Sequence, residues 1–141
     1  RCERNKETFC LLMADIDNFK MINDSHDHDF GDFVLRKIGS ALAKTTQKRD
    51  CVARWGGEEF LILLSDTALE NGLHIAERLR KRIAELDCNM GNVSQRVTLS
   101  IGVAQYDSLS NIGELIKLAD QRMYVAKKEG KNRVIPYSLQ G

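Results

Sequence analysis

No apolar run in these 141 residues approaches the length of a membrane span, and the stretch after Arg1 lacks the basic, apolar and small-residue succession of a signal peptide. Charge of one sign is also lacking: 21 basic and 20 acidic residues leave a net charge of +1. That balance removes any global electrostatic case for nucleic acid or an anionic membrane as partner, so an anionic ligand has to be recognised locally. The four cysteines, Cys2, Cys10, Cys51 and Cys88, have neither the paired spacing of a zinc site nor the density of a disulfide scaffold. Reduced thiols in a cytoplasmic compartment are expected, with Cys10 and Cys51 serving as small buried hydrophobes in apolar strand-like runs rather than as reactive groups. Pro136 is the single proline, and no repeat, low-complexity tract or linker divides the chain. One domain over residues 1–141 is expected. A chain beginning at Arg1 is expected to be a fragment of a longer protein, with which a membrane anchor elsewhere is compatible.

The residues present suggest a regular alternation of elements. Positions 9–14 form an apolar run suited to a strand buried on both faces, ending in the acidic pair Asp15 and Asp17. From residue 30 to 45, Phe33, Val34, Ile38, Ala41 and Leu42 recur at helical spacing. Residues 51–55 and 59–64 read as two strands of a hairpin whose tip carries Gly56, Gly57, Glu58 and Glu59. A second helix is expected over 68–86, a strand over 97–104, a third helix from 112 to Gly130, and an edge strand over 132–136. This order predicts an α+β fold, a mainly antiparallel central sheet with flanking helices in a ferredoxin-like arrangement.

Chemistry concentrates at two places. An acidic hairpin turn is by itself unremarkable, but a first strand lying beside it brings Asp15 and Asp17 towards Glu58 and Glu59, where glycines leave the backbone open to a ligand. Such crowded carboxylates call for a cation, and magnesium accepts one or two carboxylates with phosphate oxygens and water. Taken singly, Lys127 and Lys131 read as solvated surface charges, His74 as a helix-surface residue, His26 as without ligand spacing, and Trp55 and Phe60 as packing residues.

The run Arg54-Trp55-Gly56-Gly57-Glu58-Glu59-Phe60 resembles the GG(D/E)EF motif of the GGDEF family of diguanylate cyclases. Four further blocks match in order: Asp15-Ile16-Asp17-Asn18-Phe19-Lys20 with Ile22-Asn23-Asp24; His28-Asp29-Phe30-Gly31-Asp32; Ala119-Asp120 with Met123-Tyr124-Val125-Ala126-Lys127; and Gly130-Lys131-Asn132-Arg133. The match spans residues 9–135. The resemblance implies the nucleotidyl-cyclase (GGDEF) fold, a longer multidomain signalling protein around this domain, and condensation of two GTP molecules into cyclic di-GMP. It implies magnesium, or manganese, on Asp15, the Ile16 carbonyl and Glu58, with Glu59 as a further ligand. Glu58 is also expected as the base and Lys20 as a catalytic cation at the phosphates. Asn23 and Asp32 are expected to read guanine, with His28 at the nucleotide and Lys127 and Lys131 at the distal phosphates. One domain holds one GTP, so a homodimer is required for catalysis, with no nucleic acid partner and no membrane contact by this domain.

Three positions depart from the family pattern. His26-Asp27 replace an aromatic residue and a glycine, in a loop where Asp tolerates left-handed backbone. Lys131 replaces an arginine, exchanging a bidentate fork for a point charge. Gln47-Lys48-Arg49-Asp50 stands where the family's product-inhibition site has Arg-x-x-Asp, so tight product inhibition there is not expected. The competing readings are a catalytically silent GTP- or cyclic-di-GMP-binding module, a cyclase joining GTP to ATP, against which Asp32 speaks, and a structural domain with an incidental acidic hairpin.

Overall fold

Strand β1 (Phe9–Ile16) has no polar face because both of its faces are covered. In the computed structural model, which describes residues 8–26, 28–108 and 111–138 and excludes the His28 side chain, alternate residues of β1 point to two different cores. Cys10, Leu12, Ala14 and Ile16 enter the larger one, and Leu11 and Met13 enter the other. After β1 come α1 (Phe19–Ser25), α2 (His28–Thr45), β2 (Cys51–Arg54), β3 (Glu59–Ser65) and α3 (Leu69–Ala84). A small hairpin of β4 (Cys88–Met90) and β5 (Val93–Gln95) follows, then β6 (Leu99–Gln105), α4 (Ile112–Lys128) and β7 (Arg133–Ile135). The main sheet has the order β2-β3-β1-β6-β7, antiparallel throughout except for the β6–β7 pair, so the α+β architecture matches the sequence expectation.

Helices α2 and α3 cover one face. Phe30, Val34, Ile38 and Leu42 of α2 and Ala76, Leu79 and Ile83 of α3 are spaced by three or four residues and meet the even-numbered residues of β1. On the other face α4 brings Leu115, Ala119 and Met123 down on Leu11 and Met13. It approaches closely because β6 turns small residues towards it: a Cβ on Gly102 would lie 2.2 Å from the Ala119 carbonyl oxygen and 2.3 Å from the Met123 nitrogen. The start of α4 is fixed by Asn111, whose side chain accepts the Glu114 N–H. Its end is a Schellman motif, with the Lys131 N–H bonded to the Ala126 carbonyl across Gly130 at φ 129°. Lys131 and Asn132 then continue at φ 65° and 50°, a left-handed path that costs about 1–2 kcal/mol for each non-glycine residue.

Two packing expectations fail. Cys51 is exposed, because β2 is the sheet edge far from α4, which lies over β1, β6 and β7. Trp55, expected to pack, is 52% exposed at the hairpin tip, whereas Phe60 is buried against the position of Gly39. Cys10 is buried as expected, and burial pushes its thiol up to about 11, which removes it from thiolate chemistry near neutral pH. No helix among the described residues is long and apolar enough to cross a membrane.

Candidate active site

The antiparallel register sets Asp15 directly opposite Glu59 and brings the Ile16 N–H to the Glu58 carbonyl at 3.2 Å. The acidic hairpin therefore lies beside the exit of β1. Glu58 is the last residue of the turn and Glu59 the first of β3, and the two glutamates face different cavities. Glu58 lines a cavity of about 470 Å³ with Lys20 and Asn23 of α1, Asp32 of α2, and Arg54 and Gly57 of the hairpin; Phe19 and Leu35 form its apolar walls. Glu59 and Asp15 line a second cavity of about 590 Å³ beside α4, together with Asp120, Tyr124 and Lys127. Neither hairpin glycine needs positive φ. Gly57 has open space where a side chain would be, so its value is access to the backbone rather than an unusual turn.

Among the described residues, two buried side-chain polar atoms have no hydrogen-bond partner, Asn23 Oδ1 and Asp15 Oδ1. An unpaired buried acceptor is costly, so each of these oxygens is suited to a ligand. Gly31 leaves room for Asn23: a Cβ there would fall 1.8 Å from Asn23 Oδ1. Asp32 projects from α2 at the cavity mouth, where it is exposed. Lys20 is also exposed and pairs with Asp24 at 3.3 Å.

Around Asp15 the electrostatics favour a cation. Burial pushes its carboxyl up to about 6, with the charges of Glu58 and Glu59 adding to the effect and Lys127 opposing it. Glu59 is raised as well, first by burial and then by Asp120 and Glu58. Lys127 Nζ lies 3.3 Å from Asp15 Oδ1 as an ion pair, while its hydrogen bonds go to Asp17 Oδ1 at 2.9 Å and the Ile16 carbonyl at 3.3 Å. No three acidic, histidine or cysteine side chains among the described residues converge to hold an ion by themselves. Asp15, buried and raised further by the charges of Glu58 and Glu59, is the group here whose charge a cation would relieve, and carboxylate with phosphate and water is how magnesium is usually bound.

Asp17 does not join this group. It is 2% exposed and accepts hydrogen bonds from Thr98, Ser100, Lys127 and the Asn132 backbone. Burial alone would raise its pKa, but the bonds from Lys127, Ser100 and Thr98 outweigh that and hold it below the ordinary range. Asp17 lies in the turn just past the last residue of β1, and although Lys127 ion-pairs with both aspartates, only Asp17 is also taken up by Thr98, Ser100 and the Asn132 backbone. Lys131 reaches Asn18 Oδ1 at 2.7 Å, so both sequence-predicted phosphate lysines converge on segment 16–18. The His28 side chain and Asp27 lie outside the described residues, and His26 sits edge-on to Phe30.

Sequence reasoning missed Arg54 as part of the cavity. Its Nε donates to the carbonyls of Gly56 and Gly57 at 3.2 Å each, closing the turn from beneath. A cation two residues before a glycine pair was the available signal. Leu35, three residues after Asp32 on the same helix, is a wall that spacing alone indicates.

The family model described as diguanylate cyclase, GGDEF domain, matches residues 1–133. Diguanylate cyclase A of Treponema denticola is 39% identical over 130 residues, covering 92% of this chain and 35% of that protein. The structure of the active GGEEF domain of a diguanylate cyclase from Vibrio cholerae superposes with a TM-score of 0.89 at 34% identity, covering 99% of this chain and 89% of that one. The GGDEF domain of DgcB from Caulobacter crescentus, solved in complex with c-di-GMP, gives a TM-score of 0.89 at 29% identity over 95% of this chain and 80% of that one. The chain spans about a third of the length of the curated relatives it matches.

Proposed function

The chain belongs to the GGDEF family of diguanylate cyclase domains, and from that premise we propose that it condenses two GTP molecules into cyclic di-GMP and two pyrophosphates. One observation carries the reading: the two buried acceptor oxygens without a hydrogen-bond partner, Asn23 Oδ1 and Asp15 Oδ1, belong to residues expected from the motifs to bind guanine and the metal. Asn23 and Asp32 take the guanine edge in the smaller cavity, where an amide oxygen and a carboxylate accept its N–H groups. Lys127 and Lys131 take the distal phosphates, and Lys20 offsets charge developing during transfer. His28 belongs at the nucleotide by motif.

Magnesium or manganese, held by Asp15, the Ile16 carbonyl and Glu58 with Glu59 as a further ligand, would neutralise phosphate charge and lower the pKa of the attacking hydroxyl. Glu58, on the guanine-cavity side of the hairpin, accepts the proton of the ribose 3′-hydroxyl as that oxygen attacks the α-phosphorus of the second GTP. One copy of these residues serves one GTP, so two domains meet with their sites facing, and each supplies one of the two symmetric steps. The domain is assigned to the cytoplasmic side of whatever longer protein contains it, since GTP is its substrate.

The test is to fuse the domain to a dimerising coiled coil, supply GTP and magnesium, and separate the nucleotides by chromatography beside Glu58→Ala. Cyclic di-GMP and pyrophosphate from the parent and not from the variant are expected. Absence of product despite confirmed dimerisation and GTP binding would move the assignment to a silent nucleotide-binding module.

A further inference from the structure

Asp17 is the one carboxylate of the β1 exit whose oxygens are all committed. Oδ1 accepts Ser100 Oγ at 2.7 Å and Lys127 Nζ at 2.9 Å; Oδ2 accepts Thr98 Oγ1 at 2.6 Å and the Asn132 N–H at 3.0 Å. With four donors on a side chain that is 1% exposed, it has no lone pair directed to a ligand. These bonds tie together the end of β1, the start of β6, the last turn of α4 and the loop that leads into β7.

Both lysines assigned to the phosphates depend on that knot. Lys127 sits on a four-carbon stem with many rotamers, and its shortest bond is to Asp17, which selects the one that points the ammonium at segment 16–18. Lys131 lies in a loop whose left-handed path suits Asn132 but not a lysine, and the Asn132 N–H on Asp17 Oδ2 fastens that loop. Lys131 then reaches across to Asn18. A single buried carboxylate thus places two cations, from two different elements, beside the strand end where the phosphates are expected.

We infer that Asp17 is a positioning residue for the nucleotide triphosphate: it touches no substrate, and it presents Lys127 and Lys131 to the distal phosphates. This rests on the GTP reading above. A role confined to holding the fold together would weaken binding of every ligand alike, or none; a positioning role weakens only ligands that carry the phosphates.

The experiment compares the affinity of the chain, by calorimetry with magnesium, for guanosine and for a GTP analogue carrying a methylene between the α and β phosphorus atoms. Wild type is expected to prefer the triphosphate. Asp17→Asn, which keeps the shape and removes the charge facing Lys127, is expected to cut that preference by about tenfold or more while leaving guanosine within about twofold. Thr98→Val, a milder loss of one donor to Oδ2, tests the same direction should Asp17→Asn fail to fold, with a loss of about twofold or more. In a Lys127→Met background, Asp17→Asn is expected to add less than it does alone, because the two act through one interaction. Full triphosphate preference in the folded variants overturns the inference and leaves the GTP reading standing, and so does an equal loss for both ligands. A wild-type chain that binds guanosine and the analogue equally would sink the GTP reading itself, and the inference with it.

Discussion

Replacing Asp15 by Asn should make the ligand-free domain more stable. The Asp15 side chain is only 13% exposed and stands opposite Glu59 beside Glu58. Its carboxyl is pushed from an ordinary 3.8 up to about 6, chiefly by burial and then by those neighbours, with the attraction of Lys127 already counted against the rise. The distance from 3.8 to about 6 corresponds to about 3 kcal/mol of free energy spent in keeping the group charged within the fold. An amide of the same shape removes that cost, in which the Lys127 attraction is already included, and with solvent screening reducing the figure a net gain of about 1–3 kcal/mol is expected near neutral pH. For a domain of this size that is a rise of about 3–9 °C in Tm.

The pH dependence follows from the direction of the shift. A carboxyl whose pKa is raised by folding is preferred in its neutral form, so its stabilising contribution is complete below about pH 4 and is lost as pH rises through about 6. The advantage of Asp15→Asn is therefore expected to be full above about pH 7 and to vanish towards about pH 4. Urea unfolding of both proteins across that range, in a chelator, measures it, and taking the difference between them cancels the titration of the remote Glu77, which is lowered by Arg80. An Asp15→Asn protein less stable than wild type near neutral pH, or a difference that ignores pH, would refute the reasoning. Titrating magnesium back should stabilise wild type and leave the variant unchanged.

Three further outcomes are expected. Gly31→Ala introduces a methyl against Asn23 Oδ1, so GTP affinity in calorimetry should fall by about tenfold while Tm holds or rises, since alanine favours the helix by about 1 kcal/mol. Gly102→Ala drives a methyl into the α4 backbone and should cost about 3 kcal/mol or more in denaturant unfolding; a loss under about 1 kcal/mol would mean that α4 moves freely. Asp50 spends both oxygens on the N–H groups of Gln47 and Ser65, so Asp50→Ala should cost about 1–2 kcal/mol in stability. Micromolar cyclic di-GMP should leave the forced dimer uninhibited whether Asp50 is present or not, and inhibition that this substitution abolishes would contradict that.

The long elements were legible because their periodicities are imposed by burial. The apolar run before Asp15 is a strand covered twice, and α2 and α3 show their inward stripes at helical spacing. Shorter pieces left no such trace: α1 has seven residues and two inward side chains, and β4 and β5 have three residues each around Gly91 at φ 63°. Trp55 and Cys51 were placed inside by their chemistry, but exposure at an edge strand depends on which strands a helix covers, which no local pattern encodes.

At the site, the sequence by itself determined which groups are available: the acidic hairpin, the acidic end of the first strand, Asn23 with Asp32, and the two late lysines are all set by residue type and order. Tertiary structure decided how they divide. Register set Glu59 opposite Asp15 on one cavity, and the turn before β3 put Glu58 on another. The closing of α4 over β6 delivered Lys127 to Asp17, 110 residues away in the chain, and left Asp15 Oδ1 without a hydrogen bond. Two aspartates separated by one residue look alike in sequence; burial and the donors that surround each of them make one a fastener and leave the other open to a cation.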